Sequence, residues 1–280
     1  MKISTLTIVG VGLIGGSIGL AAKSRGLAQR VLGVGRHPDS LERAKSLGAI
    51  DTCFLDMMLA VGEADLIVFC TPVDQIADQV LAAASACKPG VLLTDAGSTK
   101  GQIVQAIDGR VPAGVSFVGS HPLAGSEKRG PEHADANLFQ DRLTVITPTS
   151  RTDAAALERA KSFWQALGSR VRLMSPEDHD RALALTSHLP HFVACALAGI
   201  LPAEHQELTA SGFRDTTRIA AGDPALWKAI FEHNRVAVLS ALRSLTGRLD
   251  QFRQALEAGD WSGLDSLLTQ AKKVRDALGS

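Results

Sequence analysis

The feature that most constrains the fold is a spaced set of glycines close to the amino terminus. The stretch TIVGVGLIGGSIG (7–19) places Gly10, Gly12 and Gly15 in the order G-x-G-x-x-G, directly after an apolar, β-branched run. In this spacing the first glycine makes a tight turn, the second lets a ligand approach the backbone, and the third lets a helix pack closely on the strand. The sequence therefore predicts that the chain opens with a strand, a tight turn and a helix.

The first 174 residues continue this alternation of strands and helices. Short apolar runs predict strands at 6–11, 30–35, 64–72, 90–98 and 115–122, and helical stretches lie between them at 13–26, 38–48, 73–86 and 98–108. A further strand (142–148), a helix (152–167) and a last strand (169–174) are expected to extend the sheet. Alternation of this kind predicts a doubly wound, mainly parallel sheet with helices on both faces, which is the Rossmann-type α/β architecture.

From Ser175 onward the character of the chain changes. Ser175, Pro176 and Glu177 form a helix start, and the apolar residues that follow recur at helical spacing to the end. We therefore predict two domains, a dinucleotide-binding domain over 1–174 and an all-helical domain over 175–280. Amphipathic helices that cannot bury their apolar faces alone often pack against a second copy, so we expect a homodimer.

Composition narrows the function classes. Lys plus Arg equals Asp plus Glu at 29 each, so the chain has no global field that would attract nucleic acid or an anionic membrane. The four cysteines form no CxxC pair, which fits free thiols in a reducing cytoplasm. Several glycines interrupt the apolar run 3–20, which argues against a secretory signal, and no other segment is expected to span a bilayer. We expect a soluble cytoplasmic protein.

The glycine turn predicts a dinucleotide site. The turn and the helix that follows it, through Gly10, Gly12, Leu13, Ile14 and Gly15, would offer free N–H groups and a positive dipole end to a pyrophosphate.

Residues at two further strand ends are expected to contact the ribose and nicotinamide parts of the cofactor. An NAD site normally has an acidic residue at the end of the second strand, but this chain has Arg36 and His37 there. An arginine can pair with a 2′-phosphate, so NADP is favoured over NAD; the alternative is that Arg36 is simply solvated. Thr71 and Pro72, at the end of another strand, are expected beside the ribose and nicotinamide.

Two polar clusters follow further strands, DAGSTK (95–100) and GSHPLAGSEKRG (119–130). In an open parallel sheet ligands bind outside the carboxyl ends of the strands, so Ser98 and His121 are expected to face the nicotinamide. The serine would donate or accept a hydrogen bond, and the histidine would act as a base near neutral pH. A histidine that only caps a strand end is the alternative for His121.

His188 and His191 lie three residues apart in SHLPH (187–191). This spacing suggests half of a metal site, but a third ligand at helical spacing is missing and hydride transfer needs no metal. We therefore predict no metal.

Taken together, the motifs identify a family. DAGSTK, GSHPLAGSEKRG, HDRALALTSHLPH (179–191) and SGFRDTTRIAAGDPALW (211–227) occur in that order after GVGLIGGS. The chain closely resembles the prephenate/arogenate (cyclohexadienyl) dehydrogenases of tyrosine biosynthesis, over nearly its whole length. The resemblance implies an oxidative decarboxylation of prephenate or arogenate, with hydride transfer to the nicotinamide.

The resemblance also implies roles for single residues. His121 would accept the ring hydroxyl proton, and Ser98 would hydrogen-bond the same hydroxyl. His179 and Asp180 would form a supporting polar pair. The substrate pocket would be lined by Ser126, Glu127, His188, His191, Arg218 and Trp227, with Arg218 on a substrate carboxylate. For Trp227, a place in the core remains an equal alternative.

Two other readings of the sequence stay open. Another NADP-dependent hydroxyacid dehydrogenase would share the two-domain plan, although it is not expected to combine SHPLAGSEKRG with SHLPH. A catalytically silent NADP-binding sensor would keep the fold, but could lose His121 or Arg218, and this chain retains both.

Overall fold

The computed structural model describes residues 2–126 and 128–279. It divides into two compact units, residues 1–234 and 235–280. The predicted boundary near residue 174 falls inside the first unit, in the loop between the last strand and a helix that begins at Pro176. As a division between cofactor and substrate domains it stays a prediction.

The first unit is built on one eight-stranded sheet. Its strand order is β3-β2-β1-β4-β5-β6-β7-β8. The strands are β1 (Ile3–Val9), β2 (Ala28–Val34), β3 (Thr52–Phe54), β4 (Leu66–Phe69), β5 (Leu92–Asp95), β6 (Ser116–Pro122), β7 (Leu143–Thr147) and β8 (Arg170–Leu173). All neighbouring strands are parallel except β6 and β7, so β7 and β8 run against the rest. The Rossmann-type fold class predicted from the sequence is confirmed, with this reversal at one edge.

Helices cover both faces of the sheet and form the rest of the chain. They are α1 (Leu13–Ser24), α2 (Pro38–Ser46), α3 (Met58–Val61), α4 (Val73–Ala84), α5 (Gly101–Ile107), α6 (Ala154–Ala166), α7 (Pro176–Leu183), α8 (Leu189–Gly199), α9 (Ser211–Thr217), α10 (Pro224–His233), α11 (Arg235–Ala258) and α12 (Trp261–Ala277). Sequence reasoning missed β3 and α3, whose short runs lack a clear period. It also began α5 too early, because residues 96–100 form a loop.

Two apolar clusters hold the sheet between its helices. Along β1, Leu6 and Ile8 belong to one cluster and Val9 to the other. In β4, Val68 and Phe69 divide in the same way. Successive side chains of a strand point to opposite faces, so these are the two faces of the sheet, both buried. The carboxyl ends of β1, β4, β5 and β6 are thereby fixed side by side.

One helical stretch is longer and more apolar than the sequence reading expected. Helices α7 and α8 are joined by a π-helical turn at Ala184–His188, and the 24 residues of Pro176–Gly199 are long and apolar enough to cross a membrane by length and composition. This corrects the expectation that no such segment exists outside 3–20. His179, Asp180, His188 and His191 of the same stretch are buried, whereas its most apolar window is 28% buried overall.

The second unit consists of α11 and α12, which contact each other. Large apolar side chains are exposed on these helices and just after α12: Val236, Leu239, Leu249, Leu256, Trp261, Leu268, Val274 and Leu278. Val236 is 85% exposed and Trp261 is 67% exposed. Exposed apolar side chains of this size, where they form a contiguous patch, mark an interaction face.

Candidate active site

The glycine turn joins the ends of two central strands. Gly10 has a φ of +93°, in the left-handed region that favours glycine. A Cβ on Gly10 would lie 2.8 Å from the Cys70 carbonyl oxygen and 3.0 Å from the Thr71 nitrogen. The structure therefore places the turn after β1 directly against Thr71, as a cofactor site shared by the ends of β1 and β4 requires.

The amino terminus of α1 is open to an anion. Gly12 precedes the helix without a side-chain cap, and the first turn holds no acidic residue. A Cβ on Gly12 would meet nothing within 4 Å, whereas one on Gly15 would lie 2.1 Å from the Gly10 carbonyl oxygen. Leu13 and Ile14 form the first turn and are half-buried. The free N–H groups and the space at Gly12 fit a bound pyrophosphate.

The remaining predicted cofactor residues also lie at strand ends. Arg36 and His37 follow β2 and are exposed, and His37 precedes α2. Pro72 is exposed immediately before α4, and Thr71 is half-buried beside it. Arg36 is therefore accessible to a ligand on the surface at the end of β2.

The glycine-rich loop after β6 reaches the cofactor helix. Gly125 has a φ of +125°, and a Cβ there would lie 3.3 Å from Ile14 Cδ1 and 3.9 Å from Leu13 Cδ2. Ser126 is exposed next to it and accepts a 3.3 Å hydrogen bond from the Lys128 backbone. The Glu127 prediction lies outside the described residues. The loop thus brings the predicted substrate side of the site to the start of α1.

His121, His179 and Asp180 form one hydrogen-bonded chain. His121 Nδ1 lies 2.9 Å from His179 Nε2, and His179 Nδ1 lies 2.8 Å from Asp180 Oδ1. His121 belongs to β6, whereas the other two belong to α7. The sequence had grouped His179 with Asp180, and the structure adds their direct contact with His121.

The protonation of this chain follows from its last member. Burial alone would raise the pKa of Asp180, but hydrogen bonds from His179 and from two backbone N–H groups outweigh it and hold the pKa below 3.8. Burial lowers the pKa of His121 well below 6.5 and also lowers that of His179.

These directions fix the donors and acceptors in the chain. An ionised carboxylate only accepts, so a neutral His179 donates from Nδ1 and accepts at Nε2. His121 then donates from Nδ1, which leaves a lone pair on its Nε2.

Asp180 also holds the loop that carries Ser98. Its two oxygens accept backbone N–H groups, from Lys100 at 2.8 Å and from Gly101 at 2.8 Å. These are donors at the start of α5, and Ser98 lies half-buried in the loop just before them. Ser98 therefore lies in the loop after β5, and His121 lies in β6, the parallel strand next to it.

A buried ion pair, missed by the sequence reading, lies under the site. Lys100 and Asp95 are both 0% exposed, and their side chains are in contact. Lys100 Nζ also donates to the Ser120 carbonyl at 2.9 Å, and Asp95 Oδ1 accepts from the Ser120 N–H at 3.0 Å. Burial lowers the pKa of Lys100, although Asp95 opposes this. The pair therefore holds the backbone of Ser120, next to His121, through two hydrogen bonds. In the sequence, only the position of both residues within DAGSTK pointed to it.

His188 contacts Asn234, another residue that sequence reasoning did not select. The Asn234 amide nitrogen donates to the Asp180 carbonyl at 2.8 Å and lies 3.0 Å from His188 Nδ1. Burial lowers the pKa of His188 to about 4. His188 occupies the end of the π-helical turn, a feature that is frequent at functional sites.

His191 and Trp227 stack with ring centroids 3.6 Å apart and 9° between their planes. A Cβ on Gly222 would lie 2.5 Å from Trp227 Nε1 and 3.1 Å from His191 Cε1, so the backbone before α10 packs on both rings. Arg218 is exposed and begins the short 3₁₀ turn Arg218–Ala221, which packs against α8. The two rings therefore lie beside the turn that carries Arg218.

Among residues 2–126 and 128–279, no group of three His, Cys, Asp or Glu side chains is placed to hold a metal ion. The buried histidines are engaged instead with one another, with Asn234 and with Trp227.

Comparison with known proteins gives a consistent assignment. The family described as prephenate dehydrogenase, nucleotide-binding domain, matches residues 18–173, and the prephenate dehydrogenase dimerization domain matches 175–270. The cyclohexadienyl dehydrogenase of Zymomonas mobilis is 36% identical over 98% of this chain and 95% of that protein.

Two solved structures have the same fold. Prephenate dehydrogenase from Aquifex aeolicus, solved with hydroxyphenyl propionate and NAD+, has a TM-score of 0.92 and 30% identity, with 99% of each chain covered. Arogenate dehydrogenase from Synechocystis has a TM-score of 0.81 and 32% identity, covering 98% of this chain and 99% of that one. Together with the sequence matches, these show that the chain belongs to the prephenate dehydrogenase family.

Proposed function

We propose that this protein catalyses the oxidative decarboxylation of prephenate and/or L-arogenate in tyrosine biosynthesis, with hydride transfer to NADP. The observation that carries the proposal is the chain from His121 to His179 and Asp180, because it leaves an unprotonated Nε2 on a histidine at the end of a Rossmann-type strand. Relatives named as cyclohexadienyl, prephenate and arogenate dehydrogenases support this class of acid.

In this reaction His121 is the general base. Its Nε2 accepts the proton of the ring hydroxyl, and its pKa, lowered by burial, keeps the imidazole neutral and ready to accept at physiological pH. A bound nicotinamide would accept the hydride from the ring carbon that carries this hydroxyl. Loss of the ring carboxylate as carbon dioxide then restores aromaticity. Ser98, in the adjacent loop, hydrogen-bonds the hydroxyl and orients it towards His121.

The cofactor would be held by the turn after β1 and the start of α1. Gly10, Gly12, Leu13, Ile14 and Gly15 offer the pyrophosphate an open N-terminus, since that turn holds no acidic side chain. Thr71 and Pro72 extend this surface towards the nicotinamide.

We favour NADP over NAD because the exposed Arg36 and His37, rather than an acidic residue, occupy the end of β2. A guanidinium there pairs with a 2′-phosphate.

The substrate would be bound by residues from the helices and the glycine-rich loop. Arg218 is exposed on the turn beside the His191 and Trp227 stack and would bind a carboxylate through its planar fork of N–H groups. Ser126 lies on the loop that contacts α1, and His188 lies beside Asp180. Glu127 keeps its proposed place at the mouth of the site from the sequence alone.

The assembly we propose is a cytoplasmic homodimer with a small-molecule substrate and no nucleic acid or membrane partner. The match to a dimerization domain supports the dimer. So do the exposed apolar side chains of Phe192 on α8 and of Ile200 just after it, at 38% and 76% exposure. A second copy of the chain would remove such surface from water.

The test is an assay of purified protein with prephenate or arogenate, each with NADP or NAD, followed by absorbance of the reduced cofactor. We expect turnover with at least one acid, faster with NADP. His121→Asn should lower turnover by about 10²-fold or more while cofactor affinity stays nearly intact. Turnover by no combination, with NADP still bound, would favour another hydroxyacid dehydrogenase or a silent NADP sensor.

A further inference from the structure

Asn234 is a buried asparagine that the proposed reaction leaves without a role. It is 4% exposed and lies at the carboxyl end of α10. Its amide nitrogen lies 2.8 Å from the Asp180 carbonyl oxygen and 3.0 Å from His188 Nδ1. It therefore links the backbone of one member of the His121 chain to the ring of a predicted substrate residue.

The carbonyl of Asp180 fixes which way the amide faces. A carbonyl oxygen only accepts, so the atom of Asn234 that faces it must be the NH₂ group. The same nitrogen has a second hydrogen, and its remaining neighbour within hydrogen-bond distance is His188 Nδ1. His188 Nδ1 is therefore the acceptor, and a neutral His188 carries its proton on Nε2.

The Nε2–H of His188 lacks a hydrogen-bond acceptor among the described residues. His188 is 1% exposed, and its Nε2 has no hydrogen-bond partner among the residues that the structure describes. Buried polar atoms in folded proteins nearly always have a partner, so a lone one calls for a ligand or water. The His188 ring stands edge-on to Trp227, with centroids 6.3 Å apart, in the region where the substrate is proposed to bind.

We infer that Asn234 is a positioning residue that holds His188 as a neutral Nε2–H donor for an oxygen of the bound acid. The inference rests on the proposed function for the identity of the ligand, and on the hydrogen bonds alone for the tautomer. It gives the two imidazoles opposite roles: His121 presents a lone pair on Nε2, and His188 presents a hydrogen. A carboxylate or keto oxygen of the substrate is the acceptor class that such a donor recognises.

The first measurement is the tautomer, read by ¹⁵N NMR of the histidine-labelled full-length protein without substrate. His188→Gln identifies the His188 signals. We expect an unprotonated Nδ1 and a protonated Nε2 in the wild type. In Asn234→Asp a carboxylate replaces the donor, so the proton should move to Nδ1 or the ring should become charged. A wild-type spectrum with the proton on Nδ1 overturns the inference, even if the variant fails to fold.

The second measurement separates positioning from stability. Asn234→Asp and Asn234→Ala should raise KM for the acid about ten- to hundredfold, the range for a lost hydrogen bond to a charged group, with a smaller change in kcat and an unchanged Kd for NADP. Asn137→Asp makes the same change at an exposed asparagine and should leave KM unchanged. An unchanged KM in both Asn234 variants overturns the inference. If the wild type turns over no acid, the proposed function fails, and the role towards the acid fails with it, while the NMR result still decides the tautomer.

Discussion

His121 Nδ1 and His179 Nε2 lie 2.9 Å apart, although the two residues are 58 positions apart in sequence and belong to a strand and a helix respectively. The contact makes the state of His121 depend on a residue of α7. Asp180, which accepts from His179 Nδ1, is the anion that sets the direction of every proton in the chain.

Asp180→Asn should therefore impair the base without removing it. One Asp180 oxygen accepts from Lys100 and His179, and the other accepts from Gly101. In either orientation of the asparagine side chain, its NH₂ group would therefore face one of these donors and lose that hydrogen bond. We expect kcat to fall about 10²-fold and the free energy of unfolding to fall by about 1–3 kcal/mol. The rates would be measured as a pH profile of kcat/KM, and stability by urea unfolding.

Asp178→Asn is the matched control for that variant. Asp178 lies on the same helix, is exposed, and pairs with Ser175 and Arg181 rather than with the His121 chain. It should keep kcat close to the wild-type value. Equal rates for Asp180→Asn and wild type would mean that the carboxylate does not set the state of His121.

A second prediction concerns stability against pH. Burial lowers the pKa of His121, His179, His188 and His191 below 6.5 in the folded protein. Below pH 6.5 the unfolded chain then binds more protons than the folded one, so the free energy of unfolding falls as pH falls. His188, with a pKa of about 4, accounts for about 3 kcal/mol of this loss once pH has passed through its folded pKa. The lowered carboxyl pKa values act mainly below the ordinary value of 3.8, at lower pH than the measurement below requires.

The measurement is urea unfolding at several pH values from about 7.5 to about 5. His188→Gln should flatten the slope, whereas His205→Gln, at an exposed site, should leave it unchanged. A free energy of unfolding that stays constant across this range would contradict the buried, neutral state of these histidines.

The fold was largely predictable because its signals are local. The glycines after β1, the apolar runs of β4 and β5, and the Ser175 and Pro176 helix start each depend on neighbours in sequence. The reversal of β7 against β6 was not predictable, since an isolated strand carries no mark of its direction. The π-helical turn at Ala184–His188 was missed for a similar reason, because it inserts a residue into an otherwise regular helical pattern.

The buried ion pair gives a third prediction. Lys100→Met leaves Asp95 buried without its partner, which should cost about 3–5 kcal/mol of unfolding free energy. Asp95→Asn combined with Lys100→Met removes both charges and should recover much of that loss.

The dependence of kcat/KM on pH tests whether Lys100 also affects His121 in these two variants. His121 is faced by Lys100, His179 and His188, and Asp180 lies behind His179; the ammonium of Lys100 is one cause of the lowered His121 pKa. Removal of the ammonium should move the acid limb of kcat/KM to higher pH in both variants. A double variant as unstable as Lys100→Met would show that the pair is not coupled energetically.

Cofactor choice gives a fourth prediction. Arg36→Ala should raise Kd for NADP about ten- to hundredfold, as for a charge-assisted hydrogen bond, and leave Kd for NAD nearly unchanged. Arg43→Ala changes an exposed arginine on α2, the helix that follows Arg36, and should change neither value. Binding would be followed by isothermal titration calorimetry. Equal weakening of both cofactors by Arg36→Ala would argue that Arg36 does not contact the 2′-phosphate.

The site was predictable only in part, because several members are set by contacts between distant segments. His121, His179 and Asp180 could be named from motifs, but their direct chain depends on how α7 packs beside β6. Asp95, Lys100 and Asn234 have ordinary sequence surroundings, and their roles follow from burial and from pairing across the fold. Sequence patterns identify strand ends, whereas the partners of buried polar groups require coordinates.

The last prediction separates the two functions of the glycine turn. A Cβ on Gly15 would lie 2.1 Å from the Gly10 carbonyl oxygen and 2.9 Å from Ile8 Cγ2, so the backbone of β1 or α1 must move. Gly15→Ala should lose about 3 kcal/mol or more of unfolding free energy. A Cβ on Gly12 would meet nothing within 4 Å, and its φ of −99° lies outside the left-handed region that favours glycine.

Gly12→Ala should therefore fold like the wild type, within about 0.5 kcal/mol, yet raise Kd for NADP by about tenfold or more because the methyl group occupies the path of the pyrophosphate. Gly62→Ala, at a distant exposed glycine with a φ of −64°, should change neither property. Urea unfolding and calorimetry on the three variants would test this division. If Gly12→Ala bound NADP as tightly as the wild type, the pyrophosphate would not approach the backbone at Gly12, and the cofactor would have to lie elsewhere along the ends of β1 and β4.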